Sequence, residues 1–153
     1  MSWNYERNNG IYDIFLFTIN FVKARKKHWE ILYNAIKKHE EYFILPVKEK
    51  YSDPSWFGFL LTVRREAPFS KRDIVTYLED HKIATRMLFS GNIIRQPSFQ
   101  NIPSRVFNNL NNTDFIMENT FWIGVYPGMT QSMLFYMISI MDQFIQSCGG
   151  WYI

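Results

Sequence analysis

The period of the apolar positions changes several times along this chain, and each change predicts an element. Over residues 20–38, Val22, Trp29, Leu32 and Ile36 fall on one stripe with lysines and arginines opposite, the pattern of an amphipathic helix. Glu40 and Glu41 then lead into FILP at 43–46, which proline closes. Beyond the turn-rich YSDP at 51–54, WFGFLLTV at 56–63 is apolar at every alternation, predicting a strand covered on both faces. Ser70 and Asp73 form the S-x-x-D start of a helix whose stripe is Ile74, Val75 and Leu78, ending near His81. An apolar strand over 83–89 follows, broken at Ser90, Gly91 and Asn92, where glycine and asparagine permit the positive φ of a turn. Residues 100–112 are polar and asparagine-rich, a surface loop, after which Thr113 and Asp114 suit the cap of a short helix to about Glu118. TFWIGVYPG at 120–128 predicts a third strand. Thr130 caps a last helix in which Leu134, Met137, Ile138, Met141, Phe144 and Ile145 keep helical spacing until Gly149. Strand, helix and strand in this order predict an α/β arrangement of about three strands and three or four helices rather than a bundle. Residues 1–19 show no clean period, and no element is assigned to them.

Composition narrows the partners. At 153 residues, 47% hydrophobic and 20% charged, the chain has the size and balance of one globular domain. Aromatics at 18% suit a dense core or a face made to lie against another protein surface. The net charge of +3 is concentrated in Lys23, Arg25, Lys26, Lys27, Lys37 and Lys38, which a solvated helix face explains better than a nucleic-acid stripe. Cys148 is the only cysteine, so no intrachain disulfide or cysteine-based metal site is expected, and a reducing, cytoplasmic setting is the default. The apolar run 11–21 is interrupted by Asp13 and Asn20 and is shorter than the ~20 residues of a spanning helix, so neither a membrane anchor nor a signal peptide is expected. His28, His39 and His81 have no metal-pair spacing and are expected to face solvent. The sequence contains no G-x-G-x-x-G or Walker-type phosphate loop and no G-x-S-x-G elbow. No self-contained catalytic or metal site is expected.

The candidate chemistry lies in the stretch 82–99, KIATRMLFSGNIIRQPSF. Alternation puts Arg86 on the same side of its strand as Ala84 and Leu88, an otherwise small or apolar face. A guanidinium there requires a carboxylate, a phosphate or carbonyls. The residues leave two readings open: an internal ion pair with an Asp or Glu, or an anion site to which Arg95 and Gln96 add donors.

Three segments carry a resemblance: DPSWFGFLLTV at 53–63, the run APFSKRDIVTYLEDHKIATRMLFSGNIIRQPSF at 67–99, and NNLNNTDFIMENTFWIGVYPGMT ending at Thr130. Together they resemble the carboxyl-terminal part of the nucleotide-sugar 3-dehydratase branch of the sugar aminotransferase superfamily, in register from about residue 20 to about residue 145. Within it the chain is most similar to the CDP-4-keto-6-deoxyglucose 3-dehydratases of lipopolysaccharide dideoxysugar synthesis. The resemblance implies the small domain of an aspartate-aminotransferase-like fold, with its connecting helix, over residues 20–153. Residues 1–19 depart from the family, as though the frame begins in foreign sequence and joins it at Phe21. The pyridoxal or pyridoxamine phosphate of the family is held by a large domain that nothing here matches, so this chain alone is expected to bind no cofactor. The implied partners are a nucleotide sugar, most simply CDP-linked, and that large domain or a homodimer mate. The alternative is a non-catalytic module that assembles with a separately encoded cofactor domain. Arg86, Phe89, Ser90, Gly91, Asn92 and Arg95 lie in the segment the resemblance implies faces cofactor and substrate, which favours the anion reading of Arg86.

Overall fold

The computed structural model describes residues 3–149, with side chains from 16 to 148. It opens on a 34-residue helix, α1 (Trp3–Ile36), extended by a 3₁₀ turn at Lys37–His39. Its buried stripe is Trp29, Leu32 and Ile36, with Val22 half-buried. The helix also runs through 3–19, where the sequence offered no element. Once the packed carboxyl-terminal turns exist, each added residue gains a hydrogen bond without a new nucleation cost.

Four strands form one sheet. They are β1 (Phe43–Ile44), β2 (Gly58–Val63), β3 (Thr85–Met87) and β4 (Thr120–Gly124), in the order β1-β2-β4-β3 with every pairing antiparallel. The arrangement is therefore the α+β form of the expected class, because the strands pair antiparallel and most of the helices gather on one face instead of crossing between parallel strands. Leu60 pairs with Trp122, which pairs with Arg86, so these three share the outer face. Phe59, Leu61, Phe121 and Ile123 fill the inner face, against α1, α2 (Lys71–Asp80) and α4 (Gln131–Gly149). Helix α2 begins as the sequence predicts: the Ser70 hydroxyl accepts from the Asp73 amide while the Asp73 carboxylate accepts from the Ser70 amide at 2.8 Å. Helix α4 begins on Thr130, whose hydroxyl accepts from the Met133 amide at 3.2 Å.

The outer face is only half covered. At one end α3 (Asn111–Asn119) lies over β2 and β4, and Thr62 and Thr120 bond to each other beneath it at 2.8 Å. At the other end Gly58, Leu60 and Trp122 are left half-buried, so the expectation that β2 is covered on both sides fails there. Helix α3 also starts earlier than expected. Its cap is Leu110, and Asp114 is used elsewhere.

The histidines differ from expectation as well. His28 Nδ1 lies 3.0 Å from the Tyr126 carbonyl and His81 Nδ1 2.7 Å from the Tyr77 carbonyl. His39 is mostly buried, its Nε2 2.7 Å from Asp142, which Lys38 also meets at 2.7 Å. Burial pushes the Asp142 carboxyl up, but the bonds and charges of Lys38 and His39 outweigh it and hold the carboxyl below its ordinary range. Among the described residues no cluster of His, Cys, Asp or Glu is placed to hold a metal, and no helix is long and apolar enough to cross a membrane.

Candidate functional site

Strand β3 is short because the chain turns at Phe89, whose φ is +46°. The turn reaches positive φ at Phe89 and Gly91 (+61°), and Asn92 is instead extended at −86°. Any other residue at Gly91 is strained: its φ is left-handed, and a Cβ there would stand 2.3 Å from Cγ of Met117, which would have to move.

The loop after the turn is pinned from beneath by α3. The Asn92 amide nitrogen Nδ2 donates to Asp114 Oδ1 at 2.6 Å, and Arg95 grips the same carboxylate through Nε at 3.2 Å and Nη2 at 2.9 Å. These bonds, the Arg95 one first, hold the Asp114 carboxyl below its ordinary range. Gln96 donates back to the Ser90 carbonyl at 2.7 Å, and Lys71 anchors α3 through the Met117 carbonyl at 2.6 Å. Two of the six candidates, Asn92 and Arg95, thus spend their donors on building the loop. Gly91 supplies its geometry.

Arg86 remains available. No carboxylate lies within salt-bridge distance of it among the described residues, and its one hydrogen bond runs from Nη1 to the Thr85 carbonyl at 2.7 Å. The internal ion pair left open by the sequence is absent among the described residues. Glu79, a carboxylate that feels the Arg86 charge, is engaged by the Thr85 amide and hydroxyl, which hold its carboxyl below its usual range; Arg86 contributes least.

Beside Arg86 a cleft of about 470 Å³ opens on the uncovered end of the sheet. Its floor is Leu60, Gly58 and Trp122, and Leu88 and Phe89 bring in the candidate loop. Its other wall is α1 at Arg25 with the segment from Pro46 to Phe57, held down by Asp53, which receives Lys26 at 2.6 Å and Lys48 at 3.6 Å. Phe89 is 78% exposed at the rim. Arg25, Ser55, Trp56 and Trp122 escaped notice as site residues. Arg25 sat in a basic run read as solvated, and the aromatics read as strand.

The architecture is that of the small domain of pyridoxal-phosphate-type aminotransferases. The chain overlays an Escherichia coli GDP-4-keto-6-deoxy-D-mannose-3-dehydratase structure with bound hydrated PLP at TM-score 0.67 and 20% identity, covering 78% of this chain and 30% of that one. It overlays an aminotransferase from Psychrobacter cryohalolentis at TM-score 0.75 and 17% identity, covering 84% and 35%. The sequence model of the DegT/DnrJ/EryC1/StrS aminotransferase family matches residues 18–142, and the chain belongs to that family. The lipopolysaccharide biosynthesis protein RfbH of Salmonella typhimurium is 44% identical over 124 residues, 81% of this chain and 28% of RfbH. The dTDP-4-dehydro-2,6-dideoxy-D-glucose 3-dehydratase of Saccharopolyspora spinosa is 39% identical over 82% of this chain and 27% of that enzyme. The chain therefore spans little more than a quarter of the length of these relatives.

Proposed function

We propose that this chain is the substrate-side, carboxyl-terminal part of a cytoplasmic, pyridoxal- or pyridoxamine-phosphate-dependent nucleotide-sugar 3-dehydratase serving lipopolysaccharide dideoxysugar synthesis. The observation that carries the reading is the 44% identity to RfbH across four-fifths of the chain. The substrate under this reading is a CDP-linked 4-keto-6-deoxy sugar. In the complete enzyme the cofactor supplies an electron sink for loss of the C3 hydroxyl.

The described residues of this face do not fit a cofactor site. The cleft and the adjoining surface at 88–91 are lined by no lysine, histidine or carboxylate, so nothing there can anchor an aldehyde, move a proton or pair with a pyridine nitrogen. What the chain's own residues can do is bind and orient. Arg86 offers unspent donors to an anion, and the pinned loop presents Phe89 and Ser90 at fixed positions.

The test is reconstitution. The purified chain is expected to leave the absorbance of pyridoxal phosphate unchanged and to show no dehydration. Mixed with the remaining amino-terminal part of an RfbH-type protein, it is expected to restore conversion of the CDP-4-keto-6-deoxy sugar. Stoichiometric cofactor binding by the chain alone, or inactivity of a well-formed complex, overturns the reading.

A second reading rests on the intact core from Trp29 to Ile145: a non-catalytic module that assembles with a separately encoded cofactor domain. Co-elution with such a domain, with no gain of activity in it, supports this version. A homodimer of the chain without that domain opposes it.

A further inference from the structure

Three independent irregularities converge on the cleft between α1 and the open end of the sheet. The first is unpaired polarity: among the described residues the buried side-chain atoms without a hydrogen-bond partner are Arg25 Nε, Ser55 Oγ and Trp29 Nε1. The first two belong to residues lining the cleft, and the third to the ring stacked on Trp56. Buried donors are rarely left unmade, and each such group calls for a reason. The second is backbone strain. Of four non-glycine residues at positive φ among those described, two are the aromatics Trp56 (+48°) and Phe89 (+46°), and both line this cleft. A bulky residue rarely adopts that conformation, and such strain gathers at binding sites. The third is the surface itself. Trp56 is fixed by a stack on Trp29 with centroids 4.3 Å apart and planes at 8°, Phe57 meets Trp122 edge-on, and Trp122 lies so close over Gly58 that a Cβ there would stand 2.6 Å from its ring.

The geometry points to this cleft as the subsite for the nucleoside of the nucleotide sugar, an inference that rests on the function proposed above. Rigid indole and phenyl rings offer π-faces to a flat heteroaromatic base. Arg25 Nε–H and Ser55 Oγ–H supply donors for its ring or carbonyl acceptors. Arg86, paired with Trp122 and so on the same face of the sheet, has donors to offer a diphosphate attached to that base. The one charged residue among those lining the cleft is the cation Arg25, which suits an anionic nucleotide better than an apolar segment of another protein. The volume of about 470 Å³ lies within the range of small-molecule sites. Two of the relatives named above carry a nucleoside diphosphate in the name of their substrate.

The test is nuclear magnetic resonance of the whole chain, its tryptophan side-chain signals assigned by substitution, titrated with CDP, dTDP, GDP and inorganic pyrophosphate. At least one nucleoside diphosphate is expected to move the Trp56 and Trp122 indole signals, and pyrophosphate to leave them still. Ser55→Ala removes a hydroxyl that has no partner in the chain. It is expected to leave Tm unchanged or higher while weakening the nucleoside diphosphate about tenfold, the worth of one hydrogen bond. Trp122→Leu is the second variant and should abolish the response of Trp56. The inference is overturned if no nucleoside diphosphate moves the two indoles, if pyrophosphate moves them equally, if Ser55→Ala binds as tightly as the parent, or if the indoles are covered by self-association without nucleotide. Should reconstitution restore dehydration while this titration fails, only the subsite is lost. Should the reverse occur, the nucleoside site stands and the dehydratase reading falls.

Discussion

Phe121 and Trp122 are neighbours in β4 and face opposite ways, and the two sides of the sheet they look onto are built by different rules. On the inner side Phe59, Leu61 and Phe121 are fully buried, and the helices over them close the core without a charged group inside. On the outer side half the face lies open, two aromatics sit in strained backbone, and donors are buried unpaired. Local consistency breaks mostly on one side. Sequences depart from it where binding or catalysis demands it, so the inner face is where stability resides and the outer face is where function is to be sought.

The sharpest way to break that contrast is to truncate the two neighbours separately. Phe121→Ala should cost about 3–5 kcal/mol in urea denaturation and Trp122→Ala less than about 1.5 kcal/mol; comparable losses would mean the outer face is structural. Next in size is the covered end of the outer face. Thr120→Val leaves the buried Thr62 hydroxyl unpaired and should cost about 2 kcal/mol, with the double change to valine recovering most of it, measured the same way. A single change as mild as the double one would show that water reaches this pair. Gly91→Ala forces a side chain onto a residue at φ +61° and against Met117, and should cost about 1–2 kcal/mol while speeding amide exchange across 89–96.

The smallest effect is electrostatic and lies away from the sheet. The Asp142 carboxyl is depressed in the folded state, so its contribution is complete above the ordinary carboxylate range, at about pH 4, and is lost as pH falls through the folded value. Asp142→Asn should remove about 1 kcal/mol at neutral pH and give a shallower acid limb in a pH series of denaturation curves. An unchanged acid limb would mean that Lys38 and His39 do not stabilise the folded charge.

Much of the inner architecture is legible in the sequence because it is local. The Ser70–Asp73 box, the α4 stripe and the apolar runs of β2 and β4 each declare themselves within a few residues. What is not legible is non-local. Arg25, Ser55, Phe89 and Trp122 come from four separated segments, and only the antiparallel order of the strands brings them to one cleft. Arg86 could be placed on the correct face by alternation, but the residence of Arg95 and Asn92 on Asp114 depends on where α3 docks. The left-handed turn shows the same limit: glycine and asparagine were the expected residues for it, Gly91 adopts it and Asn92 does not, and Phe89 adopts it where the strand ends.

The edges of the sheet are two residues long on one side and three on the other, and the chain turns away from the longer one at Phe89. Such edges offer a further strand almost no free backbone to pair with. Clumping of this polypeptide is therefore expected to proceed through aromatic stickiness on its broad side rather than by growth of fibrils. Precipitates should dissolve in mild detergent and give no cross-β diffraction.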